Sequence, residues 1–150
     1  MVKKRRQSGN IVNRRARYDY ELGDSYVVGL QLTGAETKSL RLGHGQLQGA
    51  YVTVRGDELW LINAQIIGTQ GVSIEADQQS RSRKLLAKRR EIEEITALKK
   101  AGNTIVPTEI ITKGRFIKLR IAVGRGKKRY DKRETIKRRQ QEREARRAKT

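Results

Sequence analysis

Ile105-Val106-Pro107-Thr108-Glu109-Ile110-Ile111-Thr112, a Lys113-Gly114 turn and the return segment Ile117-Lys118-Leu119-Arg120-Ile121-Ala122-Val123 decide how this chain folds. In the return segment Ile117, Leu119, Ile121 and Val123 alternate with Lys118, Arg120 and Ala122. That period of two sets one face of a strand against a core and the other, basic face toward water. Two such runs joined at a glycine turn predict a β-hairpin. Pro107 is the chain's only proline and has no N–H for a ladder, so its strand is expected at an edge or bulged at that residue.

The same periodicity extends upstream. Residues 51–55 and 58–62 flank a Gly56-Asp57 turn and predict a second hairpin, with Gln65-Ile66-Ile67 expected to continue the sheet. Tyr26, Val28, Leu30 and Leu32 mark a further strand. It runs into Thr33-Gly34-Ala35-Glu36, a capping box in which the Thr33 hydroxyl and the Glu36 carboxylate each satisfy a backbone N–H. A short helix is expected over 35–42, with Gly43 and Gly45 suited to end it. Leu85, Ile92, Ile95 and Leu98 recur at helical spacing, with Arg89–Glu93 and Arg90–Glu94 as i,i+4 pairs. They predict one long amphipathic helix from an N-cap at Ser80 to Ala101, closed by Gly102. About six short strands with two to three helices predict a mainly β fold, an oligonucleotide-binding (OB)-like closed antiparallel barrel.

Charge divides the chain into three. The 150 residues carry 35 Lys and Arg against 16 Asp and Glu, a formal charge of +19 with a pI of about 10.8, which points to a polyanionic partner. Seven basic and no acidic residues lie in 1–17, 15 against 12 in 18–124, and 13 against four in 125–150. The nearly balanced middle holds the hydrophobic patterning. We therefore expect a basic N-terminal arm (1–17), a folded barrel (18–124) and a basic tail (125–150). The tail has little to bury but is rich in helix formers, which fits a segment that orders on a polyanion. There is no cysteine, which suits a reducing, cytoplasmic setting. No secretory signal pattern and no apolar run of the roughly 20 residues needed to span a bilayer is found, so a soluble protein is expected.

Five blocks occur in order: Asn13-Arg14-Arg15-Ala16-Arg17-Tyr18-Asp19-Tyr20, Thr33-Gly34-x-Glu36-x-Lys38-Ser39-Leu40-Arg41, Glu58-Leu59-Trp60-Leu61, Arg83-Lys84-Leu85-Leu86 and Gly126-Lys127-Lys128-x-Tyr130-Asp131-Lys132-Arg133. In this the chain resembles small protein B, the SsrA-binding protein family of bacteria. The resemblance implies an OB-like barrel that binds the tRNA-like domain of transfer-messenger RNA and delivers it to stalled ribosomes for trans-translation, standing in for a tRNA anticodon arm. It implies a monomer with no catalytic residue, metal or cofactor. Its partners would be that RNA and the small-subunit ribosomal RNA, with elongation factor Tu and alanyl-tRNA synthetase reached only through the RNA. The RNA-binding face would comprise Asn13, Arg15, Arg17, Glu36, Lys38, Ser39, Arg41, Arg83, Lys84 and Lys88. Lys127, Lys128, Tyr130, Asp131, Lys132, Arg133 and Ile136 would enter the decoding centre and messenger channel, the tail being disordered when free and helical on the ribosome.

The residues themselves allow plainer readings. Glu36 serves the capping box with Thr33, while the resemblance places it where a carboxylate accepts from base amino or ribose hydroxyl groups. Lys38 and Arg41 share a helix face and suit phosphates, as would any solvated charged face. Arg81, Arg83, Lys84 and Lys88 at the head of the long helix would oppose its dipole, which hints at an external anion. Trp60, beside Leu59 and Leu61, reads as core, and His44 as a loop residue. The tail cations alone would bind any polyanion by counterion release, whereas Tyr130 can also stack on a base. Asp77-Gln78 stands where the family commonly has Asp-Pro, Gln65 where many have histidine, and Ala87 interrupts a leucine run, while 99–103 looks a few residues short. These departures bear on loop geometry. Two other classes compete: a ribosomal or initiation-type OB-fold RNA-binding protein, and a nuclease, for which the scattered acids offer no metal cluster.

Overall fold

The computed structural model describes residues 9–126 and 129–148, with 129–135 and 148 as backbone only. In chain order the strands are β1 (Ile11–Val12), β2 (Tyr20–Leu30), β3 (Gly45–Gln46), β4 (Tyr51–Arg55), β5 (Glu58–Ile62), β6 (Gln65–Ile66), β7 (Arg83–Leu86), β8 (Thr104–Ile111) and β9 (Lys118–Gly126). The helices are α1 (Ala16–Asp19), α2 (Gly34–Arg41), α3 (Arg89–Lys100) and α4 (Arg129–Ala148).

The expected hairpin is β8–β9. Ile117, Leu119 and Ile121 are buried while Lys118 is exposed, as the alternation requires, although Ala122, expected on the outer face, is buried too. Pro107 sits at a register shift between Pro107 and Glu109, so the bulge reading holds. All main pairings are antiparallel and run in the order β8-β4-β5-β7-β2-β9, with β9 pairing back onto β8. Six strands therefore make a ring, the mainly β barrel-like fold expected, and β1 adds to the outside of β8. Val28, Leu59, Leu85, Ile105, Leu119 and Ile121 fill its interior. Ile95 of α3 joins that core, and the helix is tied down where Tyr26 Oη donates to Glu94 Oε2 at 3.1 Å and Lys99 Nζ to the Val52 carbonyl at 3.1 Å.

Several expectations need correction. The long helix starts at Arg89, not at Ser80. Arg83–Leu86 is instead β7, with Leu85 opposite Leu59 on one side and Leu30 on the other. A four-residue apolar pair has no visible period, and a vacant ladder on both sides outweighs helix propensity. The helix is headed by Lys88, whose backbone N–H donates to Glu91 Oε1 at 3.0 Å. Gln65–Ile66 does not extend the ring but pairs with Gly45–Gln46 in a separate two-stranded sheet. Gly43 does end α2 with φ of 87°, whereas Gly45 is in β3, where a Cβ would come 2.6 Å from Leu40 Cδ2. Trp60 is not in the core: Leu59 and Leu61 take the inside, so the period of two turns Trp60 outward, half-exposed between Thr53 and Lys84. The basic segment expected as an arm to residue 17 is fixed to the ring from Ile11 onward, with Asn13 and Ala16 buried. In the tail, residues 129–148 have helical backbone.

Truncating Ile121 to Ala removes a fully buried side chain at the ring's interior and should cost about 2–5 kcal/mol. The same change at exposed Lys118 should cost less than about 0.5 kcal/mol. Urea denaturation of both variants measures the contrast.

Candidate RNA interface

The strongest polar cluster is built on the capping box of α2. Thr33 Oγ1 accepts from the Glu36 N–H at 3.1 Å, and Glu36 Oε1 accepts from the Thr33 N–H at 2.9 Å, as expected from sequence. The Glu36 carboxylate then does more. Its Oε1 also accepts from Arg81 Nη2, and its Oε2 from Arg83 Nε at 2.8 Å and Arg81 Nε at 3.1 Å. The side chain is only 2% exposed. Burial alone would push this carboxyl up, but hydrogen bonds from Arg81, the Thr33 backbone and Arg83, with Arg83's charge, hold it below the ordinary value.

Arg83 is fully buried, and all five of its N–H donors are used. Besides Nε to Glu36, Nη1 donates to the carbonyls of Ala64 at 2.7 Å and Arg81 at 3.1 Å, and Nη2 to those of Gln78 at 3.3 Å and Gln79 at 2.9 Å. Burial lowers its pKa, opposed by the Glu36 carboxylate. The end of the turn at Ala76–Gln78 is thus held by a guanidinium. Arg83 is therefore not a surface cation. It positions Glu36 and the 78–81 loop, and Arg81, 28% exposed, is the cation the cluster presents to solvent. Arg81 is the residue sequence reasoning missed as a site member. Reading 80–101 as helix hid that Arg81 and Arg83, two apart in extended chain, share a side and reach the same carboxylate.

α2 is joined to the β8–β9 turn by Arg41, whose Nη1 donates to the Thr112 carbonyl at 3.0 Å and Nη2 to the Arg115 carbonyl at 3.1 Å. Lys38, one turn earlier, is exposed, and Ser39 is buried with no partner for its hydroxyl among the described residues. Asn13 reaches the other side of β8. Its Nδ2 donates to the Pro107 carbonyl at 2.8 Å and its N–H to the Thr108 carbonyl at 2.8 Å, using the acceptors around the bulge. Its Oδ1 is buried with no partner among the described residues. Asn13, Arg14, Arg17, Tyr20 and Arg120 border one open cleft of about 1040 Å³. Arg15 is paired with Asp19 at 3.4 Å and lies 4.5 Å from the Tyr18 ring centroid. Lys84 faces outward with Trp60 and pairs with Glu58 at 3.2 Å, while Lys88 is exposed.

The expected residues thus fall into linked groups. Glu36, Arg81 and Arg83 are in direct contact, whereas Asn13 and Arg17 lie across β8 at the α1 cleft. The tail residues Lys127 and Lys128, and the side chains of Tyr130, Asp131, Lys132 and Arg133, lie outside the described residues, and Ile136 of α4 is 40% exposed. Among the described residues no group of three or more His, Cys, Asp or Glu could hold a metal ion, and no helix is long and apolar enough to cross a membrane.

A family model described as SmpB protein matches residues 10–150. The chain belongs to the SmpB family. SmpB relatives include the SsrA-binding protein of Streptococcus thermophilus, 41% identical over 142 residues that cover 93% of this chain and 92% of the relative. The SsrA-binding protein of Trichormus variabilis is 43% identical over 139 residues, covering 91% and 89%. A solved SmpB structure described as "tmRNA-SmpB: a journey to the center of the bacterial ribosome" is similar with a TM-score of 0.67 at 33% identity, covering 86% of this chain and 95% of that one.

Replacing Glu36 with Gln leaves Arg83 buried without its counter-charge and should cost about 3–5 kcal/mol near neutral pH. Because the folded-state pKa lies below the ordinary 4.5, the carboxylate's contribution is complete above that pH and is lost as pH falls through the lowered value. The stability gap between wild type and Glu36→Gln, measured by urea denaturation from about pH 7 to about pH 3, should therefore narrow in acid.

Proposed function

We propose that this protein binds the tRNA-like domain of transfer-messenger RNA and carries it to stalled ribosomes for trans-translation, as an RNA-binding adaptor in which the barrel mimics a tRNA anticodon arm. The observation that carries this reading is the family match over 10–150, which spans both the ring and the basic tail. SmpB has been seen with transfer-messenger RNA on the bacterial ribosome, and the chain's +19 charge suits two RNA partners.

We propose different work for the residues of the RNA face. Lys38, Arg17 and Lys88 have solvent-facing charge and suit phosphates, beside the part-exposed Arg81 and Lys84, which are already paired with Glu36 and Glu58. Asn13 Oδ1, buried and without a donor among the described residues, suits an RNA amino or 2′-hydroxyl group at the cleft beside Arg17. Glu36, Arg83 and Arg41 act through the loops they hold. Both carboxylate oxygens of Glu36 already accept hydrogen bonds from within the chain, so its contribution is positional. Arg15 and Ser39 take supporting places, one paired with Asp19 and the other buried in α2. In the tail, Lys127, Lys128, Tyr130, Asp131, Lys132, Arg133 and Ile136 are proposed to engage the decoding centre and messenger channel.

Titration of the protein against transfer-messenger RNA and, separately, tRNA should give clear preference for the former, retained when residues 125–150 are removed. Equal affinity would favour a general ribosomal or initiation-type RNA binder. Changing Lys127, Lys128, Lys132 and Arg133 together to Ala should leave that RNA affinity largely intact but abolish peptide tagging on stalled ribosomes. Normal tagging would remove these side chains from the decoding centre.

A further inference from the structure

We propose that Phe116, at the tip of the β8–β9 hairpin, is a stacking platform for an unpaired nucleobase of the transfer-messenger RNA, a proposal that rests on the RNA-binding reading above. Phe116 is 70% exposed, the most exposed large hydrophobic side chain among the described residues. Ile117 beside it is buried at 5%, so the ring does not continue into an exposed apolar run along the strand. Its surroundings are cationic. Lys113, Arg115 and Lys118 are all exposed, and no acidic residue occurs between Glu109 and Asp131. The Arg115 guanidinium lies 5.9 Å from the ring centroid, at the outer limit of a cation–π contact, so it does not hold the ring.

The tip is also held in place. Arg41 binds the carbonyls of Thr112 and Arg115 on either side of the turn, anchoring the hairpin tip to α2, whose exposed Lys38 lies on the same helix face as Arg41. A ring fixed on a preorganised turn loses little freedom on binding. A base offers its π-face to Phe116 while its flanking phosphates meet the lysines and arginines, and no other polyanion uses both features as well. A membrane surface would call for several adjacent apolar side chains, which the buried Ile117 does not supply.

The test compares wild type with Phe116→Ala, Phe116→Trp and the Lys113→Ala/Arg115→Ala pair in titrations of transfer-messenger RNA at several salt concentrations. Phe116→Ala should bind about tenfold more weakly with an unchanged salt slope and an unchanged thermal midpoint. The double variant should weaken binding and flatten the slope. Phe116→Trp should restore affinity, and its added tryptophan emission should be quenched by the RNA. Wild-type affinity in Phe116→Ala overturns the proposal, as does loss of sedimentation with phosphatidylserine vesicles while RNA affinity stays intact. Failure of the wild-type protein to prefer transfer-messenger RNA over tRNA would instead count against the underlying function, because the Phe116→Ala to wild-type ratio is read separately.

Discussion

The Glu36–Arg83 ion pair is the constraint around which the site is arranged. Two charges taken out of water repay their desolvation only if every remaining donor and acceptor is met. Here each Arg83 N–H has an acceptor and both Glu36 oxygens are used. Satisfying that demand joins α2, β7, the segment after β5 and the 78–81 loop at a single point. The buried guanidinium holds the loop by its Gln78 and Gln79 carbonyls, together with the Ile66 N–H, which donates to the Gln79 carbonyl at 2.9 Å.

The ring supplies the second level of order. Closing β9 onto β8 leaves the six strands no free edge within the circuit, and β1 covers part of β8 from outside. Phosphate-facing side chains can then be carried on short helices and turns without weakening the core, because the alternation of the strands keeps interior and exterior independent. β9 illustrates this: Leu119 and Ile121 hold the interior while Lys118 stays in water.

How much of this was legible in the sequence depends on how long each signal was. The β8–β9 hairpin alternates over enough residues to be read directly, and the capping box is a four-residue pattern with a fixed geometry, found as expected. Arg83-Lys84-Leu85-Leu86 is too short to show a period and runs into a true helical pattern, so it was drawn into α3. The same reading sets Arg81 at the head of a helix and so away from Glu36, which it bonds. The role of Glu36 was half legible: its partner Thr33 is three residues away, but Arg81 and Arg83 lie 45 and 47 residues away, a distance only tertiary structure can close. Trp60 shows a different lapse, in which hydrophobicity was weighed above the alternation its own neighbours set.

Outside the Glu36 cluster, many of the anchors described end on main-chain oxygens. Asn13 holds Pro107 and Thr108, Arg41 holds Thr112 and Arg115, and Arg83 holds Ala64, Gln78, Gln79 and Arg81. A carbonyl is present whatever side chain follows it. The side chains of the loops on the receiving end can therefore change while three donors, Asn13, Arg41 and Arg83, keep the shape of the backbone.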